Sequence, residues 1–166
     1  MQYTLILQLL PSQAQEAALR ETMQVFNAAA NRVAEIAFQQ GVSSRVAVQC
    51  LMYRDVRQRF RLSAQLTVGA IGKACKACRN KALQPVFEEH SAVVYDRRVM
   101  SFKGLNQVSL MLLHRRARVP FVLLGYQLPG EHALKEQNYL LLLEETFYLL
   151  VSLRFVDRCD EHGAIP

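Results

Sequence analysis

The chain has 166 residues, of which 51% are hydrophobic and 20% are charged, and its formal net charge is +6. This mixture is typical of one globular domain, or of two small ones that share a core, and it excludes a disordered chain. The apolar runs are too short to cross a bilayer, and the N-terminus carries no export signal. We therefore expect a cytoplasmic protein without membrane association, whose four cysteines are reduced thiols.

The first part of the chain predicts a strand followed by a long helix. Residues 2–10 are an apolar run ended by Pro11. Ser12 and Gln15 form a capping box that opens the helix, and Gly41 ends it. Apolar side chains then recur at spacings of three and four, which predicts a buried face made of Leu19, Met23, Phe26, Ala30, Val33 and Ala37.

Two further helices are predicted before the composition changes. One begins at residue 43 or 44 and ends near Phe60, and the next runs from Ser63 toward Leu83, where Pro85 stops it. The buried stripe predicted for this third helix is Leu66, Ala70, Ile71, Ala74, Cys75 and Cys78. Its outward side is predicted to be cationic, with Lys73, Lys76, Arg79 and Lys81.

After Pro85 the sequence predicts about five strands. Residues 92–102, 108–113, 119–127 and 138–155 are rich in Val, Leu, Phe and Tyr. The last of these segments is predicted to be a hairpin that turns at residues 144–146. The fold class is therefore α+β: an OB-like β-barrel that is interrupted after its first strand by a lobe of three helices.

Most of the positive charge lies in the first half of the chain. Residues 1–87 contain 11 Lys and Arg against 4 Asp and Glu, whereas residues 88–166 contain 9 against 10. Residues 45–81 contain 9 basic residues and the single acid Asp55. Charge of this density attracts polyanions, and the polyanion we expect it to bind is the phosphate backbone of a nucleic acid. The alternative is a solvated helix surface that only keeps the protein soluble.

The basic residues of the helices form the first candidate site. Arg54, Arg57 and Arg61 recur at spacings of three and four, so they share one face of the second helix and its exit. Lys73, Lys76 and Arg79 are predicted to line a groove between two helices together with them. Lys81 extends the same predicted nucleic-acid-binding set.

A second basic group lies in the strand region. It consists of Arg97, Arg98, Lys103, Arg115, Arg116 and Arg118. Tyr95, Phe102 and Phe121 lie close to these residues in sequence, so bases could stack on them beside the phosphate contacts. For Phe102 and Phe121 we favour a position in the barrel core instead.

Catalytic and metal motifs are weak. Cys75 and Cys78 form a CxxC pattern, but zinc needs four ligands and no second pair accompanies them, so helix packing is favoured over a zinc knuckle. An acidic cluster within residues 157–162 could hold a divalent cation, although a polar tail is the favoured interpretation. There is no Gly-rich phosphate loop and no nucleophile elbow. We expect no cofactor and no independent enzymatic site.

Several short segments follow one another in a specific order. They are Leu9-Leu10-Pro11, Phe26-Asn27-Ala28-Ala29-Ala30-Asn31, Gly41-Val42-Ser43, residues 53–57, 62–65, 70–77, 95–102 and 118–121, and the hairpin of residues 139–151. In this order they resemble the N-terminal part of TnpB. TnpB proteins are OrfB-type RNA-guided nucleases of bacterial insertion sequences, related to the compact type V CRISPR effectors.

The resemblance spans nearly the whole chain and implies a domain organisation. Residues 1–10 and 88–157 would form a wedge β-barrel, and residues 11–87 a helical recognition lobe. Residues 158–166 would be a tail at the point where a nuclease domain begins in that family. The implied partners are a guide RNA and a target DNA.

The resemblance also implies which residues read the short DNA motif beside the target. At the start of the third helix these are Ser63, Gln65 and Thr67, and in the strand region they lie near Tyr95 and Arg97. In the family, a RuvC-type nuclease with three acidic metal ligands follows the barrel. Because those carboxylates are not found here, we expect this chain to bind without cutting.

Three hypotheses follow. The first is the guide-RNA and target-DNA binding lobe of such an RNA-guided system. The second is a protein-interaction subunit that completes a separately encoded RuvC nuclease. A separate nuclease chain and a second copy of the chain itself are further candidate partners. The third is a guide-independent DNA-binding regulator.

Overall fold

The computed structural model describes residues 2–80, 82–127 and 137–154. One strand is followed by three helices and then by six strands: β1 (Gln2–Leu9), α1 (Gln13–Gln39), α2 (Arg45–Phe60), α3 (Ala64–Ala77), β2 (Val93–Tyr95), β3 (Met100–Phe102), β4 (Gln107–Met111), β5 (Arg116–Gln127), β6 (Asn138–Leu143) and β7 (Thr146–Arg154). No helix in these ranges combines the length and the apolar character needed to cross a membrane.

The strands form a nearly closed antiparallel barrel in the order β2-β6-β7-β1-β5-β4-β3. The first strand lies at the centre, where it pairs with both β5 and β7 and directs Leu7 and Leu9 into the core. The Tyr95 hydroxyl donates to the Met111 carbonyl at 2.8 Å, and the Met111 amide donates to the Val99 carbonyl at 2.7 Å. The first bond links β2 to β4 across the two ends of the strand order, and the second continues the pairing of β4 with the residue before β3. The predicted α+β barrel with an early helical insertion is confirmed.

Helix α1 begins as its sequence predicts. The Ser12 amide donates to Gln15 Oε1 at 3.1 Å and the Gln15 amide donates to Ser12 Oγ at 3.3 Å. The side chain of Gln15 also donates to the Arg118 carbonyl at 2.7 Å, which fixes the start of the helix on β5. The predicted apolar face is buried, and Gly41 has a φ of +66° just after the helix.

Helix α3 is shorter than predicted. It ends at Ala77 with Cys78 as its C-cap, well before Leu83 and Pro85. The apolar stripe stops at Cys78, and Leu83 is 80% exposed, so an extended helix would bury no further apolar side chain. Tertiary packing, which supplies most helical stability, therefore ends where the stripe ends.

The predicted strand over residues 92–102 is two strands. Asp96 interrupts it, because its carboxylate accepts hydrogen bonds from the amides of Arg98 at 2.8 Å and Val99 at 3.3 Å. This local bonding replaces the strand ladder with a turn. Strand β5 begins at Arg116, three residues before the predicted start at Val119.

The β6–β7 hairpin is found where it was predicted. Its two central residues, Glu144 and Glu145, have φ angles of 45° and 65°. Positive φ at both positions is the geometry that two-residue hairpins favour, although Asn and Gly adopt it at lower cost than Glu. The carboxylate of Glu145 accepts a hydrogen bond from Arg20 of α1, which ties the hairpin to the helices.

Candidate nucleic-acid interface

The arginines predicted on α2 are all on the surface. Arg54 and Arg57 are exposed on the helix, and Arg61 is exposed at its C-cap with a left-handed φ of 52°. The Arg57 guanidinium lies over the Tyr53 ring, 6.0 Å from its centroid, and donates to the Tyr53 hydroxyl at 3.2 Å. This contact holds Arg57 in place while leaving it in solvent.

Helices α2 and α3 are antiparallel. The residues of α2 that face Lys76 are therefore not the predicted Arg54, Arg57 and Arg61. The start of α2 lies beside the end of α3: Arg45 Cζ is 3.3 Å from the place that a Cβ on Gly72 would occupy. Arg45, rather than the arginines at the far end of α2, is therefore the neighbour of Lys76. Lys76 and Arg79 are exposed as predicted, and Lys81 lies outside the described residues.

Lys73 does not point outward. Its Nζ donates to Asn27 Oδ1 at 2.6 Å and to the Ala92 carbonyl at 2.7 Å, and it lies 4.5 Å from the centroid of the Phe87 ring. Burial lowers the pKa of this ammonium to about 8. The prediction that Lys73 lies on the cationic outer face of α3 is wrong.

A groove of about 410 Å³ separates α3 from β2 and the start of β6. Its cationic residues are Arg45, Lys76 and the half-buried Lys73, and its other polar groups are Gln65, Asp96 and Gln137 together with Tyr139. Around Gly69, α3 packs closely on α1 and β2: a Cβ there would make van der Waals contact with the Phe26 ring at 3.4 Å and the Val94 carbonyl at 3.7 Å. A groove of this size with few polar groups is typical of a ligand site.

The basic residues of the strand region are all exposed. Arg97 and Arg98 lie in the β2–β3 turn, Lys103 follows β3, and Arg115, Arg116 and Arg118 precede or lie on β5. In the sheet register, Arg118 is opposite Ser109 and Arg116 is opposite Met111. Arg116 donates to the Arg98 carbonyl and to Ser109 Oγ, the latter at 3.4 Å. The sheet therefore brings Arg98, Arg116 and Arg118 onto one surface.

These basic residues are not neutralised by neighbouring acids. The ion pairs within residues 2–80, 82–127 and 137–154 are Arg20 with Glu16 and Glu145, Arg32 with Glu35, and His114 with Glu21. None of them includes a predicted nucleic-acid-binding residue. Exposed guanidinium and ammonium groups in this state can exchange their counterions for phosphates.

The burial of Tyr95 and Phe102 is the reverse of what the sequence predicts. Tyr95 is fully buried, burial raises its pKa, and its hydroxyl is bonded to Met111. It belongs to the barrel core, so the prediction that it faces DNA is wrong. Phe102, expected in the core, is 40% exposed and packs edge to face on Phe121, with ring centroids 5.7 Å apart. Phe102 is thus the exposed ring of the three, and it lies next to the exposed Lys103 in sequence.

The residues implied to read a DNA motif also differ in whether the structure leaves their side chains accessible. Thr67 is buried, and its hydroxyl donates to the Ser63 carbonyl at 2.9 Å, so its predicted role in reading DNA is wrong. Ser63 is half-buried, and its hydroxyl accepts from the Leu66 amide at 3.4 Å as the N-cap of α3. Gln65 is half-buried and lines the groove. Among these three residues, only Gln65 lines the groove.

Cys75 and Cys78 are buried on the packing face of α3, as the helical spacing predicts. Cys78 Sγ lies 3.7 Å from the Ala34 carbonyl, and burial raises the pKa of both thiols. Across the described ranges, no group of three or more His, Cys, Asp or Glu side chains is arranged to hold a metal ion. The acidic cluster of residues 157–162 lies outside those ranges.

Three groove residues are not found by sequence reasoning. Arg45 belongs to the basic segment without being assigned to a site, and Gln137 and Tyr139 carry no pattern that points to a ligand. The signal on α3 is the pair Gly69 and Gly72, because glycine inside a helix is costly unless another group approaches closely. No protein-family model matches the chain, and comparison with curated proteins finds no significant match.

Proposed function

We propose that this chain binds nucleic acid, as the guide-RNA and target-DNA binding lobe of a TnpB-like RNA-guided system. The observation that carries the proposal is the set of exposed basic side chains, without acidic partners among the described residues, on two surfaces. One surface is formed by the helices, and the other by the β2–β3 turn with β5. Both can bind phosphates without reading sequence, and paired guide RNA would supply the specificity.

The groove between α3 and the barrel supports the same proposal. Arg45 and Lys76 on one side favour a phosphate, while the amides of Gln65 and Gln137 can bond to the edge of a base. Gln65 also occupies the position that the resemblance implies for reading duplex DNA. The early helical insertion into the barrel is the architecture that the resemblance implies. The proposed function is binding alone, and we assign no residue of this chain a role in cleavage.

The test is purification from the native host with and without nuclease treatment, followed by sequencing of any bound RNA. One discrete, structured RNA species would support the RNA-guided function and identify the guide. A protein that is free of RNA without nuclease treatment would contradict it. Sequence-selective binding to duplex DNA in the absence of RNA would instead favour a guide-independent regulator.

A variant series locates the binding surface. Arg54→Gln, Arg57→Gln and Lys76→Gln together should lower RNA affinity and flatten its dependence on salt, because each substitution removes a cation that would otherwise neutralise a phosphate. The matched control is Arg32→Gln, whose guanidinium already pairs with Glu35 at 3.0 Å. An equal decrease in affinity for the control and the triple variant would contradict binding by the helical surface.

An interaction subunit is the second candidate, and one feature favours it. Strand β5 pairs with β4 only as far as Pro120, whereas its pairing with β1 continues to Gln127. Beyond Pro120 it exposes apolar side chains, with Leu123 at 58% and Tyr126 at 66% exposure. Such a patch is typical of a protein interface. Copurification of a nuclease chain that is abolished in Leu123→Ser and Tyr126→Ser variants would support this function, and retention would contradict it.

A further inference from the structure

The segment of residues 87–92, which leads into β2, is held by side chains of the helices. Asn31 of α1 binds Phe87 twice: its Nδ2 donates to the Phe87 carbonyl at 2.9 Å, and its Oδ1 accepts from the Phe87 amide at 2.7 Å. This reciprocal pair imitates one rung of a β-ladder. It attaches the beginning of the segment to α1.

Asn27, one turn earlier on α1, holds the middle of the segment. Its Nδ2 lies within hydrogen-bond distance of the Glu89 carbonyl at 3.0 Å and the Ser91 carbonyl at 2.8 Å. The Met23 carbonyl of its own helix lies 2.9 Å from the same nitrogen, so three carbonyls share the two N–H groups of this amide. Asn27 is buried, so these bonds satisfy an amide that has no access to water.

Lys73 of α3 completes the network. Its ammonium donates to Asn27 Oδ1 and to the Ala92 carbonyl, and it lies over the Phe87 ring. An ammonium has three N–H groups. Two of them are used by oxygen acceptors, and the centroid of the Phe87 ring lies 4.5 Å from Nζ. A phosphate in the groove would compete with these partners for Nζ.

The segment that this network holds is also a wall of the groove. Phe87, Ala92 and Val94 line it opposite Gly69 and Gly72 of α3. We propose that Lys73, together with Asn27, is a positioning residue that fixes residues 87–92 and so sets the width of the groove between α3 and β2. Lys73 acts on the ligand through the wall and does not bind phosphate. This inference rests on the proposed function for the effect on binding.

Salt dependence of RNA binding distinguishes the two roles of a lysine. Removing a lysine that binds phosphate reduces the slope of log K against log salt by about 1. Removing a positioning residue should lower affinity by about tenfold, as the loss of an outer-shell partner does at metal sites, and leave that slope unchanged. Lys73→Met and Asn27→Ala should both show the second pattern. Lys76→Met, on the same helix and groove, is the control that should show the first.

The binding data can overturn the inference in two ways. A slope that falls in Lys73→Met as it does in Lys76→Met would make Lys73 a phosphate ligand. An affinity that is unchanged in Lys73→Met and Asn27→Ala would remove the positioning role. Circular dichroism and thermal melts of the full chain establish that each variant is folded at the temperature of the measurement.

Hydrogen exchange tests the same inference without RNA. In Lys73→Met and Asn27→Ala, the amides of Phe87 and Ser91 should exchange faster than in the wild type, while the amides of β1 remain protected. Lys76→Met should leave all of them unchanged. Unchanged protection of Phe87 and Ser91 in both variants would overturn the inference. If the wild type binds no RNA, the proposed function fails and this exchange measurement still decides the positioning role.

Discussion

Arg98 and Arg116 lie together although they are 18 residues apart, because the Arg116 guanidinium donates to the Arg98 carbonyl across the edge of the barrel. The same guanidinium reaches Ser109 Oγ. Arg116 therefore fixes the β2–β3 turn, and Arg118, two residues along the same strand, remains in solvent. On this basic surface, Arg116 therefore has a structural role, whereas the guanidinium of Arg118 is free to bind a phosphate.

Arg118→Gln is predicted to weaken RNA binding without altering stability. Its guanidinium is exposed and makes no ion pair with the described residues, so its removal affects only the binding of a phosphate. The slope of log K against log salt should fall by about 1. The comparison is made by fluorescence anisotropy against wild type. An unchanged slope would place the RNA elsewhere.

Lys73 is predicted to make stability depend on pH. Its pKa is about 8 in the folded chain against the usual 10.5, so between these values the unfolded chain holds a proton that the folded chain has released. The free energy of unfolding should therefore rise with pH from about 8 to 10.5. The measurement is urea unfolding of wild type and Lys73→Met at several pH values. Both share the other titrating groups, so the wild type should become more stable relative to the variant across this window; a constant difference would contradict the shift.

Tyr95→Phe is predicted to destabilise the chain and to leave RNA and DNA binding unchanged. The substitution leaves the ring in the core but removes the bond to the Met111 carbonyl, at a cost of about 1 kcal/mol. Thermal unfolding gives the stability, and anisotropy gives the affinity. A folded Tyr95→Phe variant that binds DNA more weakly would show that Tyr95 reaches the ligand after all.

Glu144→Asn is predicted to stabilise the β6–β7 hairpin. Glu144 has a φ of 45°, and Asn adopts this region at lower cost, so the increase in stability should be about 1 kcal/mol. The control is Glu88→Asn, at an exposed position that is not among the positive-φ residues of the described chain. Equal unfolding midpoints for wild type and Glu144→Asn would contradict the turn geometry.

The helical periodicity was sufficient to predict the faces of α1 and α3, because spacing places a Cβ on one side of a helix. It could not predict the direction of Lys73. The long lysine side chain turns inward toward Asn27, an acceptor 46 positions away, and no local pattern reports such a partner. The same limit applies to Lys76, whose neighbour Arg45 is known only once the helices are seen to be antiparallel.

The strand region shows why the basic residues were easier to predict than the aromatic ones. Arginines in a barrel of this size are expected on its surface, whatever the register. From the sequence, either Tyr95 or Phe102 could have been the buried ring. Which of them is buried depends on which end of its short strand lies at the edge of the barrel. The Asp96 turn, which divides the predicted strand, decides this by separating β2 from β3.

The most direct test of nucleic-acid binding is the salt dependence of affinity for a structured RNA, measured by anisotropy between about 50 and 200 mM salt. Wild type is compared with a variant that combines Arg45→Gln, Lys76→Gln, Arg115→Gln and Arg118→Gln. We predict a linear fall of log K with log salt for the wild type, and a slope that is shallower by about 3 in the variant. A wild-type affinity that does not depend on salt, or equal slopes for the two proteins, would contradict binding through these residues.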